Sequence, residues 1–184
     1  MTFYIDTRHT NCSLEICRLL KTCILEQTHA WSEIVFLCIG TDRVTGDCLG
    51  PYVGYQLSMF CFPGVYVYGT LASPVHALNL SEVHREIISR HPGSLIIAID
   101  ASLGQKKHLG YVTIANGALY PGAAVHKNLP PVGDIHITGI VNTSGMLEQL
   151  TLQTTRLSTV VSIAQQITNG ILLMIPCSDL IQTL

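Results

Sequence analysis

The sequence predicts an α/β fold built on a mainly parallel sheet, and three observations carry that prediction. Apolar runs of strand length alternate along the chain with stretches of helical period. Two of the runs, Ile34-Val35-Phe36-Leu37-Cys38-Ile39 and Leu95-Ile96-Ile97-Ala98-Ile99, are apolar at every position, as strands buried on both faces are. The strand-like segments near 34–39, 65–69 and 95–99 are each joined by a helical one, which is the βαβ pattern.

The elements follow in order. Asn11 or Ser13 can cap a first helix reaching to about Ala30, with Leu14, Cys17 and Ile24 at helical spacing. The strand at 34–39 ends in Gly40 and a polar loop follows. Leu49 to Phe60 reads as a helix, with Pro51 in its first turn, where proline is tolerated. Val65-Tyr66-Val67-Tyr68 has the β-branched and aromatic content of a strand. Ser73-Pro74 reads as a helix start, a cap followed by proline, and that helix should stop at His91-Pro92-Gly93. Leu95–Ile99 should end at Asp100. Gly110–Ala115 and Ile135–Val141 are two further strands, separated by a loop rich in Pro and Gly. Asn142-Thr143-Ser144 should cap one long helix from about Gly145 to Thr168, whose apolar face is Leu147, Leu150, Leu157, Val161 and Ala164.

Composition narrows the function classes. The 184 residues suit one domain, read here over 1–184. Charged residues make up 12%, about half the usual share of roughly 25%. With a net charge of −2 there is no basic footprint for nucleic acid and no polybasic membrane patch. No charge falls between Cys48 and Ser81, yet Pro51, Gln56, Pro63 and Gly64 break that stretch, so it is not a spanning helix. Seven cysteines without a CxxC pair read as small core hydrophobes of a reducing, cytoplasmic compartment. Faces this poor in charge also predict a homo-oligomer, a two-fold dimer first of all.

Two loops that leave buried strands carry carboxylates. Gly40-Thr41-Asp42-Arg43-Val44-Thr45-Gly46-Asp47-Cys48-Leu49-Gly50-Pro51 lacks the Gly-Lys-Ser/Thr ending of a phosphate loop, and its acidic residues would repel phosphate. Asp47 can be read as a helix cap or as a site residue. Asp100 closes a wholly apolar strand, where a carboxylate is costly unless it reaches solvent, a donor or a partner. In open α/β sheets, sites form beyond the carboxyl ends of strands. Asp47 and Asp100 in one cleft could share a proton, one accepting a proton from water while the other donates to a leaving group. The same pair could hold a divalent metal.

Gly40–Pro51, Tyr68–Leu80, Ile97–Gly104 with Tyr120–Val125, and Ile137–Asn142 with Leu152–Leu157 together resemble the YyaC family of sporulation proteins, over roughly residues 33–168. That family is similar in turn to the spore germination protease and to the hydrogenase-maturation endopeptidases. The resemblance implies a three-layer α/β domain of the phosphorylase/hydrolase-like kind, with helices on both faces of a mixed sheet. The germination protease's loop G-N-x-x-x-T-P-D-x-L-G-P falls on Gly40–Pro51 and places its acidic residue on Asp47. Its I-D-A-L falls on Ile99-Asp100-Ala101-Ser102. In the hydrogenase group a loop Glu and a strand-end Asp contact the substrate's nickel, matching Asp47 and Asp100 again. The third contact there is a His, for which His126 and His76 are the candidates. Thr41 stands where both peptidase groups have Asn.

The expectation is an aspartate-dependent peptidase associated with sporulation or germination, in the cytoplasm of the spore or forespore, with Asp47 and Asp100 as the working pair. Thr41, Asp42, Gly46 and Thr70 are assigned to substrate contact, with Arg43 either beside them or paired to Asp42. No cofactor is required, although a divalent metal on Asp47, Asp100 and His126 stays open. The partner is a peptide or protein substrate. The alternatives are a non-catalytic binding or scaffold protein on the same fold, and a small-molecule or metal-binding hydrolase.

Overall fold

The computed structural model describes residues 1–121 and 129–175. Along the chain lie β1 (Thr2–Asp6), α1 (Cys12–Leu25), β2 (Ile34–Cys38), α2 (Leu49–Leu57), β3 (Val65–Tyr68), α3 (Leu80–Arg90), β4 (Leu95–Gly104), β5 (Tyr111–Asn116), β6 (Ile135–Thr143), α4 (Glu148–Gln153) and α5 (Leu157–Met174). The strands form one sheet in the order β1-β5-β6-β4-β2-β3. β3, β2, β4 and β6 run parallel, and β5 runs against both of its neighbours. The fold is α/β with a mixed, mainly parallel sheet.

Side-chain alternation divides the core into two layers. Phe36, Cys38, Ile97 and Ile99 face α1, α2 and α5. Val35, Leu37, Ile96 and Ala98 face the other way, toward Leu80 and Ile87 of α3. All five residues of β2 are buried, which explains its unbroken apolar run. By length and composition α5 could cross a membrane. Here it buries Val160, Ile163, Ile167 and Ile171 in the core beside α1 and α2, each such side chain contributing about 1.5–3 kcal/mol. Cys12, Cys23, Cys38 and Cys48 are buried and Cys61 is exposed.

Five expectations are corrected. β1 was not expected; it pairs antiparallel with β5, Thr2 opposite Ala115 and Asp6 opposite Tyr111. Ser73-Pro74 does not start a helix. Val75 bridges to Ile39 and its carbonyl accepts from the Gly40 N–H at 2.8 Å, so this stretch is held extended and α3 begins only at Leu80. β4 continues past Asp100 to Gly104 because its pairing with β6 continues, with an irregularity at Ser102/Leu103. The single long helix is two, α4 and α5, parted at Thr154–Arg156. Thr155 Oγ1 donates to the Thr151 carbonyl at 2.7 Å and accepts from Asn142 Nδ2 at 3.1 Å, which seats the break on β6. The expected apolar face shifts accordingly: Leu147, Leu150 and Leu157 are exposed.

Candidate functional site

β2 and β4 lie side by side at the middle of the sheet, Cys38 opposite Ile99. Asp100 is the next residue of β4, and its side chain falls on the same face as Ile96 and Ala98. Beyond β2 the chain must turn sharply. Gly40 takes φ +138°, and a Cβ there would stand 2.0 Å from the Asp47 carbonyl oxygen, so only glycine fits. The Thr41 N–H closes the loop by donating to that carbonyl at 3.1 Å. A 3₁₀ turn over Thr45–Cys48 then delivers Asp47. Gly46 inside this turn backs onto α4, where a Cβ would meet the Leu152 carbonyl and Thr155 Oγ1 at 2.8 Å each. Asp47 is thus fixed from two sides by close backbone approach.

The two carboxyls line one cavity of about 700 Å³. Thr41, Asp42 and Arg43 contribute to it from the β2 loop, Leu71, Ala72, Pro74, His76, Ala77 and Leu78 from the segment between β3 and α3, and Gln149 and Leu152 from α4. Burial pushes Asp47 up to about 6, with the Thr41 amide pulling the other way. Burial also pushes Asp100 well above the usual carboxylate range, and the negative charge of Asp47 adds to it. The Ala101 N–H donates to Asp100 Oδ1 at 2.7 Å and opposes the rise only in part. At neutral pH an Asp47 near 6 is largely ionised, while burial and the neighbouring charge bias Asp100 toward its protonated form, so the two carboxyls are unequal proton carriers in one cavity. Such a pair titrates as a unit.

The cap reading of Asp47 finds no support in α2, whose start at Cys48 carries no side-chain capping bond. Of the residues assigned to substrate contact, Thr41 and Asp42 line the cavity, and Gly46 and Thr70 lie off its wall. Gly46 is buried against α4, and Thr70 Oγ1 accepts from the Ser73 N–H at 3.2 Å within its own loop. Arg43 makes no ion pair among the described residues, with Asp42 or any other. His76 reaches the cavity, its Nδ1 accepting from the Leu78 N–H at 3.3 Å. His126 lies outside the described residues. Among the described residues no three His, Cys, Asp or Glu side chains gather as ligands for an ion. Sequence reasoning missed the walls, Leu71, Ala72, Leu78, Gln149 and Leu152. Their signal was positional: they too follow strands β3 and β6 at the carboxyl ends.

Comparison with known proteins agrees with this architecture. A hydrogenase maturation protease, HycI, for [NiFe] hydrogenase from Thermococcus kodakarensis KOD1, superposes with a TM-score of 0.57 over 86% of this chain and 99% of that one. At 16% identity the likeness speaks for the fold alone. The uncharacterized protein YyaC of Bacillus subtilis (strain 168) is 48% identical over 142 residues, covering 77% of this chain and 69% of that protein. The family described as protein of unknown function (DUF1256) matches residues 4–170, an extent that takes in part of β1, the five other strands and both carboxylates. On that match and on the identity to YyaC, the chain belongs to the DUF1256 family.

Proposed function

We propose that the protein is an aspartate-dependent peptidase that hydrolyses a peptide bond held over Asp47 and Asp100. The observation that carries this reading is the pair of inequivalent carboxyls in one cavity, Asp47 raised by burial to about 6 and Asp100 raised well above the usual carboxylate range by burial and by the charge of Asp47. Ionised Asp47 takes a proton from water as the water oxygen attacks the peptide carbonyl carbon. As the carbon–nitrogen bond breaks, Asp100 gives its proton to the departing amine. The products are a free carboxyl end and a free amino end, and the pair is reset by proton exchange with solvent. The rate should fall below about pH 6 as Asp47 gains its proton. It should fall again at high pH as Asp100 loses its own.

The fold shared with a hydrogenase maturation protease and the resemblance to the germination protease support the reading, and the resemblance makes proteins of the spore the substrates to try first. Pure protein incubated with spore extract should create new peptide termini, absent when an Asp47→Asn, Asp100→Asn double variant replaces it. Identical termini from both preparations would overturn the hydrolytic reading. They would favour the alternative of a binding protein that keeps the fold.

A further inference from the structure

The cavity walls differ in chemistry from its floor. The floor is polar, made by Asp47, Asp100 and Thr41, whereas the walls carry Leu71, Ala72, Leu78 and Leu152. Strand order sets the walls apart. β3 flanks β2 on one side and β6 flanks β4 on the other, so the stretch after β3 and the helix after β6 bound the carboxyls from opposite sides. Apolar exposure continues past both lips. Leu78 is 83% exposed on one side, and Met146, Leu147 and Leu150 stand in solvent around Gln149 on the other, Met146 completely. Contiguous exposed apolar side chains around a site mark a surface that is covered in use. A small molecule swallowed by the cavity would leave those outer residues bare, but a chain crossing it would cover them.

We infer that the occupant is an extended polypeptide segment with bulky aliphatic side chains on both sides of the bond over Asp47 and Asp100, one seated against Leu71 and Leu78 and the other against the α4 lip. The inference rests on the proposed site and names its substrate class. Aliphatic residues fit against Leu71, Leu78 and Leu152, while His76 and Gln149 among them can meet the backbone of the segment. Each buried leucine is worth about 1.5–3 kcal/mol of transfer from water, which is roughly ten- to a hundredfold in affinity. Arg43, exposed at the rim without an ion pair among the described residues, is free to meet a carboxylate farther along the segment.

Fluorescence polarisation with two labelled octapeptides tests this, one with central paired leucines and one with asparagines in their place. Wild-type protein and the Asp47→Asn, Asp100→Asn variant, in which the walls are intact, should both bind the leucine peptide at least about tenfold tighter. Leu78→Glu and Leu150→Glu, both at exposed positions, should each remove about tenfold of that binding. Leu14→Glu, on an exposed site of α1, should change nothing. Equal affinity for the two peptides overturns the inference, and so does equal loss from Leu14→Glu and Leu78→Glu. N-acetyl-leucine amide competing as well as the octapeptide overturns the extended-chain part. Tight leucine-peptide binding without cleavage by the wild type sinks the peptidase reading and leaves this one standing. Cleavage of asparagine peptides as fast as leucine peptides does the reverse.

Discussion

Asp47 and Asp100 are held against their own solvation, and this has a measurable sign. The usual aspartate value is 3.8; Asp47 is raised to about 6 and Asp100 well above the model-peptide range. The folded protein therefore keeps protons that the unfolded chain releases above about pH 4, so this pair's contribution to stability declines as pH climbs from about 4 through 6 and beyond. Asparagine removes that penalty while its amide oxygen still accepts the Ala101 N–H. Asp47→Asn and Asp100→Asn should melt with the wild type near pH 4 and above it at pH 8. For Asp47 the gain is about 1–3 kcal/mol, tempered by its partial exposure. Calorimetry across that pH range checks the prediction; a lower melting temperature for Asp100→Asn at pH 8 would instead assign it a structural ionic role. Gly40→Ala should cost more than about 2 kcal/mol, since the new methyl collides with the Asp47 carbonyl and the backbone sits in a region that suits glycine. Chemical denaturation measures it.

Among the elements, the break between α4 and α5 governs the site more than either helix does. Thr155 ties Asn142 of β6 to the last turn of α4, and Gly46 of the Asp47 turn rests on that junction. Thr155→Val keeps the shape and removes both bonds, leaving Asn142 Nδ2 with its bond to the Thr151 carbonyl alone. It should lose about 1–2 kcal/mol, with Thr155→Ser restoring most of it. Hydrogen exchange should quicken in α4 first. This junction also shows where sequence reading stops. Helical period runs through residues 145–168 without a Pro or Gly after Gly145, so nothing within the helical stretch announces a break that is seated on a β6 side chain, Asn142, 13 residues before Thr155. Ser73-Pro74 misled for the same reason: capping chemistry favours a helix there, but the Val75 bridge to Ile39 holds the chain extended and carries His76 to the cavity. β2 and the apolar half of β4 were legible because burial on both faces writes itself into composition, and β3, a half-buried edge strand, by its β-branched and aromatic residues. The two carboxylates were legible because each interrupts a pattern that had no other use for charge. The walls were not, because aliphatic residues in a loop look like any others until the strand order brings them beside the carboxyls.

At the scale of the molecule, the shortage of charge reaches the surface. Gln56 Nε2 donates to Gln165 Oε1 at 2.9 Å and Thr168 Oγ1 to Gln56 Oε1 at 2.9 Å, joining α2 to α5, while Tyr55, Met59, Phe60 and Leu173 remain exposed. Gln166 accepts from Ser13 Oγ and Cys12 Sγ of α1. We propose that the α2–α5 surface pairs two copies about a two-fold axis. Light scattering at micromolar concentration should give twice 20.1 kDa, and Tyr55→Glu with Met59→Glu should return the monomer. A monomeric wild type refutes the pairing. The position of β1 has a consequence of another kind, in the timing of synthesis. Thr2 pairs with Ala115, so about 113 residues of chain separate the two ends of this pairing, and among the described residues β5 is the one neighbour of β1 in the sheet. At a ribosomal pace of about 5–20 residues per second, β1 waits roughly 6–23 s with Phe3 and Ile5 unsheltered while β2, β3 and β4 are made. Of the six strands described, the one made earliest is among the last to find its place.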